Sequence, residues 1–323
     1  MKNTHRLLLF IALFPLVYLV AALVLSNVYC NGYSAMGYAT GQLFKPGGWG
    51  QSLRRFRELS QFGQVDLLFI GSSHAYRGFD PRLFTQGGYR SFNMGSSSQT
   101  PLNSYYLLKK YLPQLKPRLV VLEVYPVLLS KDGLESYLDL SSNLPLGREM
   151  CGMAFATSNL GAFNGLVRTA FERVRRPLEQ AGQEEIDQER YVSGGYCETL
   201  LQKNEAPVGK APEIKISNTQ LKYLKALIAY VKDNNSDLLI VSQPLPAQYL
   251  KTIKNYQPLT KTIADLARDA GVAYIDYNTR LQLDPVYDFY DNDHLTPSGV
   301  KKFNSVVLQD LKALMGRRLA PAN

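Results

Sequence analysis

The chain of 323 residues is 46% hydrophobic and 20% charged, which excludes a disordered or low-complexity polymer and is enough for one sizeable core. Its three cysteines, with no CxxC or paired Cys/His spacing, exclude a disulfide framework and structural zinc, so neither a metal nor another cofactor is expected. The net charge of +9 is scattered and no aromatic-basic motif accompanies it, which argues against nucleic acid as a partner.

The first element is an uncharged run, LLLFIALFPLVYLVAALVLSNV, at residues 7–28. As a helix rising ~1.5 Å per residue it covers roughly 33 Å, the thickness of a bilayer's hydrocarbon core. Lys2 and Arg6 precede it and the next charged residue is Lys45. The positive-inside rule therefore puts residues 1–6 in the cytoplasm, 7–28 in the membrane and the rest outside. The run exceeds the apolar region of about 7–15 residues in a signal peptide, and no A-x-A-like site follows, so it reads as an uncleaved anchor in contact with lipid. Residues 29–63 read as a linker and 64–323 as the folded body.

From Gln64 onward, short apolar runs alternate with amphipathic stretches, the pattern of an α/β domain with a mainly parallel sheet. VDLLFIG (65–71), LVVLEVYP (119–126), DLLIVSQ (237–243) and VAYIDY (272–277) are the expected strands. Helices are expected over 102–112, 221–232 and 260–269, and a last one from Thr296 or Pro297 to about Met315, with Thr296 as its N-cap. Residues 130–212 break the rhythm and read as an insertion, serving as a lid or partner surface. It holds a helix around 160–178, the charged QEEIDQER (183–190) and a glycine pair in YVSGGYC (191–197). Cys151 and Cys197 flank that helix and, outside the cytoplasm, are expected to form a disulfide, with Cys30 unpaired.

Two motifs carry the chemistry. Gly71-Ser72-Ser73-His74 follows the first strand, and Asp291-Asn292-Asp293-His294-Leu295 precedes the last helix. A serine hydroxyl is a weak nucleophile at neutral pH and needs an imidazole base, which in turn needs a carboxylate to fix its tautomer. Ser73, His294 and Asp291 supply the three, with Asp293 as the alternative orienter. His74, adjoining Ser73, is awkwardly placed as its base and is expected outside the relay.

These blocks resemble the SGNH, or GDSL-type, superfamily of esterases and acyltransferases over residues 64–128 and 237–315. Gly71-Ser72-Ser73 is similar to the family's Gly-Asp-Ser turn and Asp291-x-x-His294 to its last block. Asn93-Met94-Gly95-Ser96-Ser97-Ser98 resembles the second block. The resemblance implies a three-layer sandwich, Ser73 as nucleophile, and an oxyanion hole from Ser73, Gly95 and Ser98. After the second strand the family has Gly-x-Asn-Asp, where this chain has Glu123-Val124-Tyr125-Pro126. With the anchor, this looks like the membrane-tethered envelope branch, which includes the D-alanyl transfer protein of teichoic-acid synthesis and exopolysaccharide O-acetylation proteins. It implies an O-acyltransferase or esterase acting on cell-envelope polysaccharide at the bacterial cytoplasmic membrane, beside a membrane-bound O-acyltransferase. The other reading, which the missing asparagine favours, is a catalytically silent anchored scaffold that binds glycan or that partner. Arg77 is a candidate for an anionic substrate group or an ion pair. Gln99 and Asn103 are candidates for sugar hydroxyls or for capping the helix that follows.

Overall fold

The computed structural model describes residues 2–30, 33–40, 49–175, 188–205, 208–210 and 213–319. Helix α1 (Lys2–Asn27) leads into a small hairpin, β1 (Tyr29–Cys30) and β2 (Tyr33–Ser34), and into α2 (Ala35–Thr40). The body follows with α3 (Ser52–Gln61), β3 (Leu67–Ile70), α4 (Ser73–Gly78), α5 (Pro81–Gln86), β4 (Ser91–Asn93), α6 (Pro101–Leu115) and β5 (Leu119–Glu123). The inserted stretch forms α7 (Leu134–Asn143), α8 (Arg148–Thr157), α9 (Leu160–Arg175) and a hairpin of β6 (Glu189–Val192) and β7 (Tyr196–Thr199). The chain closes with α10 (Asn218–Asp233), β8 (Asp237–Ser242), α11 (Ala247–Leu250), α12 (Tyr256–Asp269), β9 (Ala273–Asp276) and α13 (Pro297–Leu319).

Five strands form one parallel sheet in the order β4-β3-β5-β8-β9. Strands covered on both faces must be apolar throughout. Their alternation assigns each side chain to one of two cores. Leu68, Ile70, Val120, Leu122 and Ile240 point toward α3, α6, α10 and α12. Leu67, Phe69, Val121 and Val241 point the other way, into a core that holds Phe79 at the end of α4, Phe84 of α5, and Phe303 and Val307 of α13. The result is a three-layer α/β sandwich, the expected fold class.

Two expectations are corrected. Leu53, Phe56 and Leu59 of α3 are buried, so the folded body begins inside the stretch read as a linker over 29–63. None of Cys30, Cys151 and Cys197 is in a disulfide. Cys197 points into the packed interior of its strand, where its thiol meets Glu189, while Cys151 lies on α8, so no bridge joins them. The insertion is also more than a detour, because Tyr137, Leu140, Met150, Met153 and Ala162 join the same core as the strand residues. Its helix is described as far as Arg175, and residues 176–187, with most of the charged segment, lie outside the described residues.

Candidate active site

The site sits where β3 and β5 end and α13 is about to begin. Gly71 is required by close approach, since a Cβ there would lie 2.6 Å from Oε2 of Glu123 and 2.7 Å from its carbonyl oxygen. The chain then turns sharply into α4, with Ser72 as N-cap and Ser73 as the first helical residue. From the other side, Asp291 Oδ1 accepts the backbone N–H groups of Asp293 and His294, at 3.0 and 2.7 Å, which curls the loop into a compact turn. Thr296 caps the following helix through Gly299 N–H.

This turn carries His294 to Ser73. Nε2 of His294 lies 2.7 Å from Ser73 Oγ, and Nδ1 lies 2.8 Å from Asp291 Oδ2 and 3.0 Å from Asp293 Oδ1. With Nδ1 protonated toward the carboxylates, Nε2 is free to accept the serine proton. Burial alone would lower the His294 pKa, but the carboxylates of Asp293 and Asp291 outweigh it and raise the value to about 9. Asp293 in turn is held well below the usual carboxylate range, because the facing His294 and His74 outweigh its burial.

Behind this relay lies a second, fully buried chain that sequence reasoning missed. Nε2–H of His74 donates to the carbonyl of Asp293 at 2.9 Å, its Nδ1 lies 3.2 Å from Ser72 Oγ, and Ser72 Oγ lies 2.8 Å from Glu123 Oε2. The Ser72 hydroxyl and backbone N–H both donate to Oε2 of Glu123, at 2.8 and 2.9 Å. Burial raises the Glu123 pKa to about 7 against these hydrogen bonds and lowers that of His74 to about 4. His74 therefore stands outside the Ser73–His294 pair, stacked on His294 with ring centroids 5.1 Å apart. Ligand atoms of His74, Asp293 and His294 lie within 4.8 Å of one another. The two imidazoles, however, already spend their nitrogens on the bonds just described, so the cluster is a hydrogen-bond network.

Ser73 opens into a cavity of about 550 Å³ lined by Arg77, Ser97, Ser98, Tyr125, Glu189 and Tyr290, among others. The other expected residues distribute unevenly. Ser98 reaches the cavity on a left-handed backbone with φ 47°. The N–H of Gly95 is directed instead to Oδ1 of Asn93, at 3.2 Å. Asn93 is itself a buried bracket, donating to the carbonyls of Ala75 and Phe79. Gln99 is buried away from the cavity and joins Ser96 to Ser104. Asn103 closes a capping box with Thr100. Arg77 borders the cavity, but its guanidinium is paired with Glu189 and lies near the rings of Tyr76 and Tyr290. This pairing ties the β6–β7 hairpin to α4.

No family model and no curated protein matches the chain. Solved structures do. A GDSL-like lipase from Bacteroides thetaiotaomicron is similar at 13% identity and a TM-score of 0.42, covering 81% of this chain and 98% of that one. The inhibitor-bound aryl esterase of M. smegmatis is similar at 13% identity and a TM-score of 0.36, covering 77% and 98%. Est24, a carbohydrate acetylesterase from Sinorhizobium meliloti, is similar at 14% identity and a TM-score of 0.34, also covering 77% and 98%.

Proposed function

We propose that the protein is a membrane-anchored, serine-dependent O-acyltransferase or esterase that acts on a cell-envelope polysaccharide outside the bacterial cytoplasmic membrane. The carrying observation is the unbroken chain Ser73 Oγ, His294, Asp291, open to a cavity large enough for a sugar ester. Ser73 Oγ attacks the acyl carbonyl carbon while its proton passes to Nε2 of His294. The oxyanion forms beside the backbone N–H of Ser73, in the first turn of α4 where helical N–H groups lack an intrahelical acceptor, and beside Ser98. Collapse breaks the ester C–O bond, His294 returns the proton to the leaving alcohol, and acyl-Ser73 remains. A sugar hydroxyl or water then attacks, giving its proton to His294 and restoring Ser73.

The anchor at α1 favours an envelope glycan as acceptor and a membrane-bound O-acyltransferase as supplier of the acyl group. Relay geometry this complete supports an enzyme over a silent scaffold. Full-length protein treated with a fluorophosphonate should be labelled at Ser73, and Ser73→Ala or His294→Ala should abolish labelling and nearly all acyl turnover, since triad members act as a unit. An unlabelled wild-type protein, with envelope acylation unchanged in cells carrying Ser73→Ala, would leave the scaffold.

A further inference from the structure

The inserted segment contains a neutral stretch whose position matters. Residues 151–167, CGMAFATSNLGAFNGLV, carry no charge, whereas Arg148 and Glu149 precede them and Arg168, Glu172 and Arg173 follow. They form the end of α8, the turn at Ser158, and the first half of α9. Each arm is far shorter than the ~20 residues of a membrane crossing and falls in the range of core or interfacial segments.

Burial separates those two options. Met153, Ala154 and Ala162 face the core, but Phe155 is 65% and Leu160 72% exposed, and Phe155 makes an edge contact with Phe163 at 5.2 Å. The hairpin also lies against α1. Tyr18, Ala22 and Ser26 are spaced four apart and so share one face of that helix. Ala22 and Ser26 are buried, and the Tyr18 hydroxyl donates to Oδ1 of Asn164 on α9. α2 folds back through the bond from Ala35 N–H to the Val28 carbonyl and packs on both α1 and α9. Tyr18 lies ~13 Å along the helix from Asn27. If α1 crosses a bilayer, the residues of α9 beside Tyr18 lie in its apolar layer as well.

We propose that the α8–α9 tip, from Phe155 to Val167, is a second membrane contact: an interfacial hairpin that enters the outer half of the bilayer beside α1 and seats the body on the lipid. The proposal rests on α1 being a membrane span. The Asn159 amide at the tip and the neighbouring Asp132 are already paired. Asn159 Nδ2 donates to Asp132, Asn159 Oδ1 accepts Gly161 N–H, and the other oxygen of Asp132 accepts Leu134 N–H. Lys131 beside Asp132 suits the headgroup level. Leu134 packs against Gly161, and its neighbour Glu135 lines the Ser73 cavity. The lipid face and the cavity rim thus share the first turn of α7, so one wall of the cavity stands at the membrane surface.

The chain has a single tryptophan, Trp49, which permits a direct test. In a Trp49→Phe background, full-length protein carrying Phe155→Trp, Val17→Trp or Tyr287→Trp is reconstituted in phosphatidylethanolamine and phosphatidylglycerol vesicles, with circular dichroism confirming the fold. The Phe155→Trp and Val17→Trp emissions should be quenched by brominated lipid and protected from iodide, and the Tyr287→Trp emission the reverse. Iodide quenching at Phe155→Trp equal to that at Tyr287→Trp, with Val17→Trp still in lipid, removes the hairpin contact and leaves the anchor. Iodide reaching Val17→Trp as well removes the span itself. A Phe155→Trp emission shielded from both quenchers assigns the face to a second copy of the chain and overturns the lipid proposal.

Discussion

His294 lies between two carboxylates, and in the proposed mechanism, where it acts as the base, this sets its working pH. Its ring must be neutral to take the Ser73 proton, and Asp293 with Asp291 raises its pKa to about 9. Activity as kcat/KM should therefore climb with pH and level off only near that value. Asp293→Asn removes one carboxylate but keeps the backbone carbonyl that receives His74 Nε2–H. The ascending limb should then shift toward neutrality with the plateau rate largely preserved. Asp291→Asn removes the orienting partner instead and should lower kcat by ~10⁴-fold, the scale known for loss of a triad orienter. A pH profile that fails to move in Asp293→Asn would show that Asp291 alone sets the ring's basicity. Ser73, Asp291 and His294 were legible in the sequence because the chemistry demands those types and the Asp-x-x-His turn is local. Glu123 was not, since its bond to Ser72 spans 51 positions and that of His74 to Asp293 spans 219, and no local pattern records either.

At the scale of elements, the wall of the cavity depends on how one hairpin docks. The turn between β6 and β7 places the Gly194 carbonyl on the N–H of Asn93 at 2.7 Å, and Arg55 grips the carbonyl of Gly195 at 2.8 Å. Gly195 has φ 90°, and a Cβ there would sit 2.1 Å from the carbonyl oxygen of Asn93, a backbone atom that cannot swing away. Gly195→Ala should cost ~1–3 kcal/mol from the strained conformation alone, and more from the collision, while tilting Glu189 and Thr199 at the cavity. Gly271→Ala provides the comparison, because its φ is 66° with open space around it. Thermal unfolding should show Gly195→Ala clearly less stable than Gly271→Ala and, unlike it, impaired in turnover; equal losses would mean the hairpin yields without strain. The long buried strands were readable as continuous apolar runs. β4 has only three residues and β6 is mixed in burial, so neither shows a period, and the glycine pair marked a turn without revealing its docking partner.

For the whole molecule, the balance is between a charged body and an apolar N-terminal helix. The exposed flank of α1 presents Leu8, Phe10, Ile11, Phe14 and Val17 in a continuous apolar surface far larger than a water-facing helix tolerates. This helix is almost wholly unpacked except along the Tyr18–Ser26 stripe, and its length suits a single crossing. Lys2 and Arg6 stand on one side of it and no other charge appears until Lys45, so retention of the short basic end is the favoured orientation. The nucleophile would then face the envelope, cut off from activated acyl donors of the cytoplasm, and its acyl group would have to arrive through or within the membrane. Trypsin added to right-side-out spheroplasts should digest the body and leave only a small membrane-bound N-terminal piece. Full protection, with digestion only after lysis, would put Ser73 in the cytoplasm and exclude an envelope glycan as the acceptor.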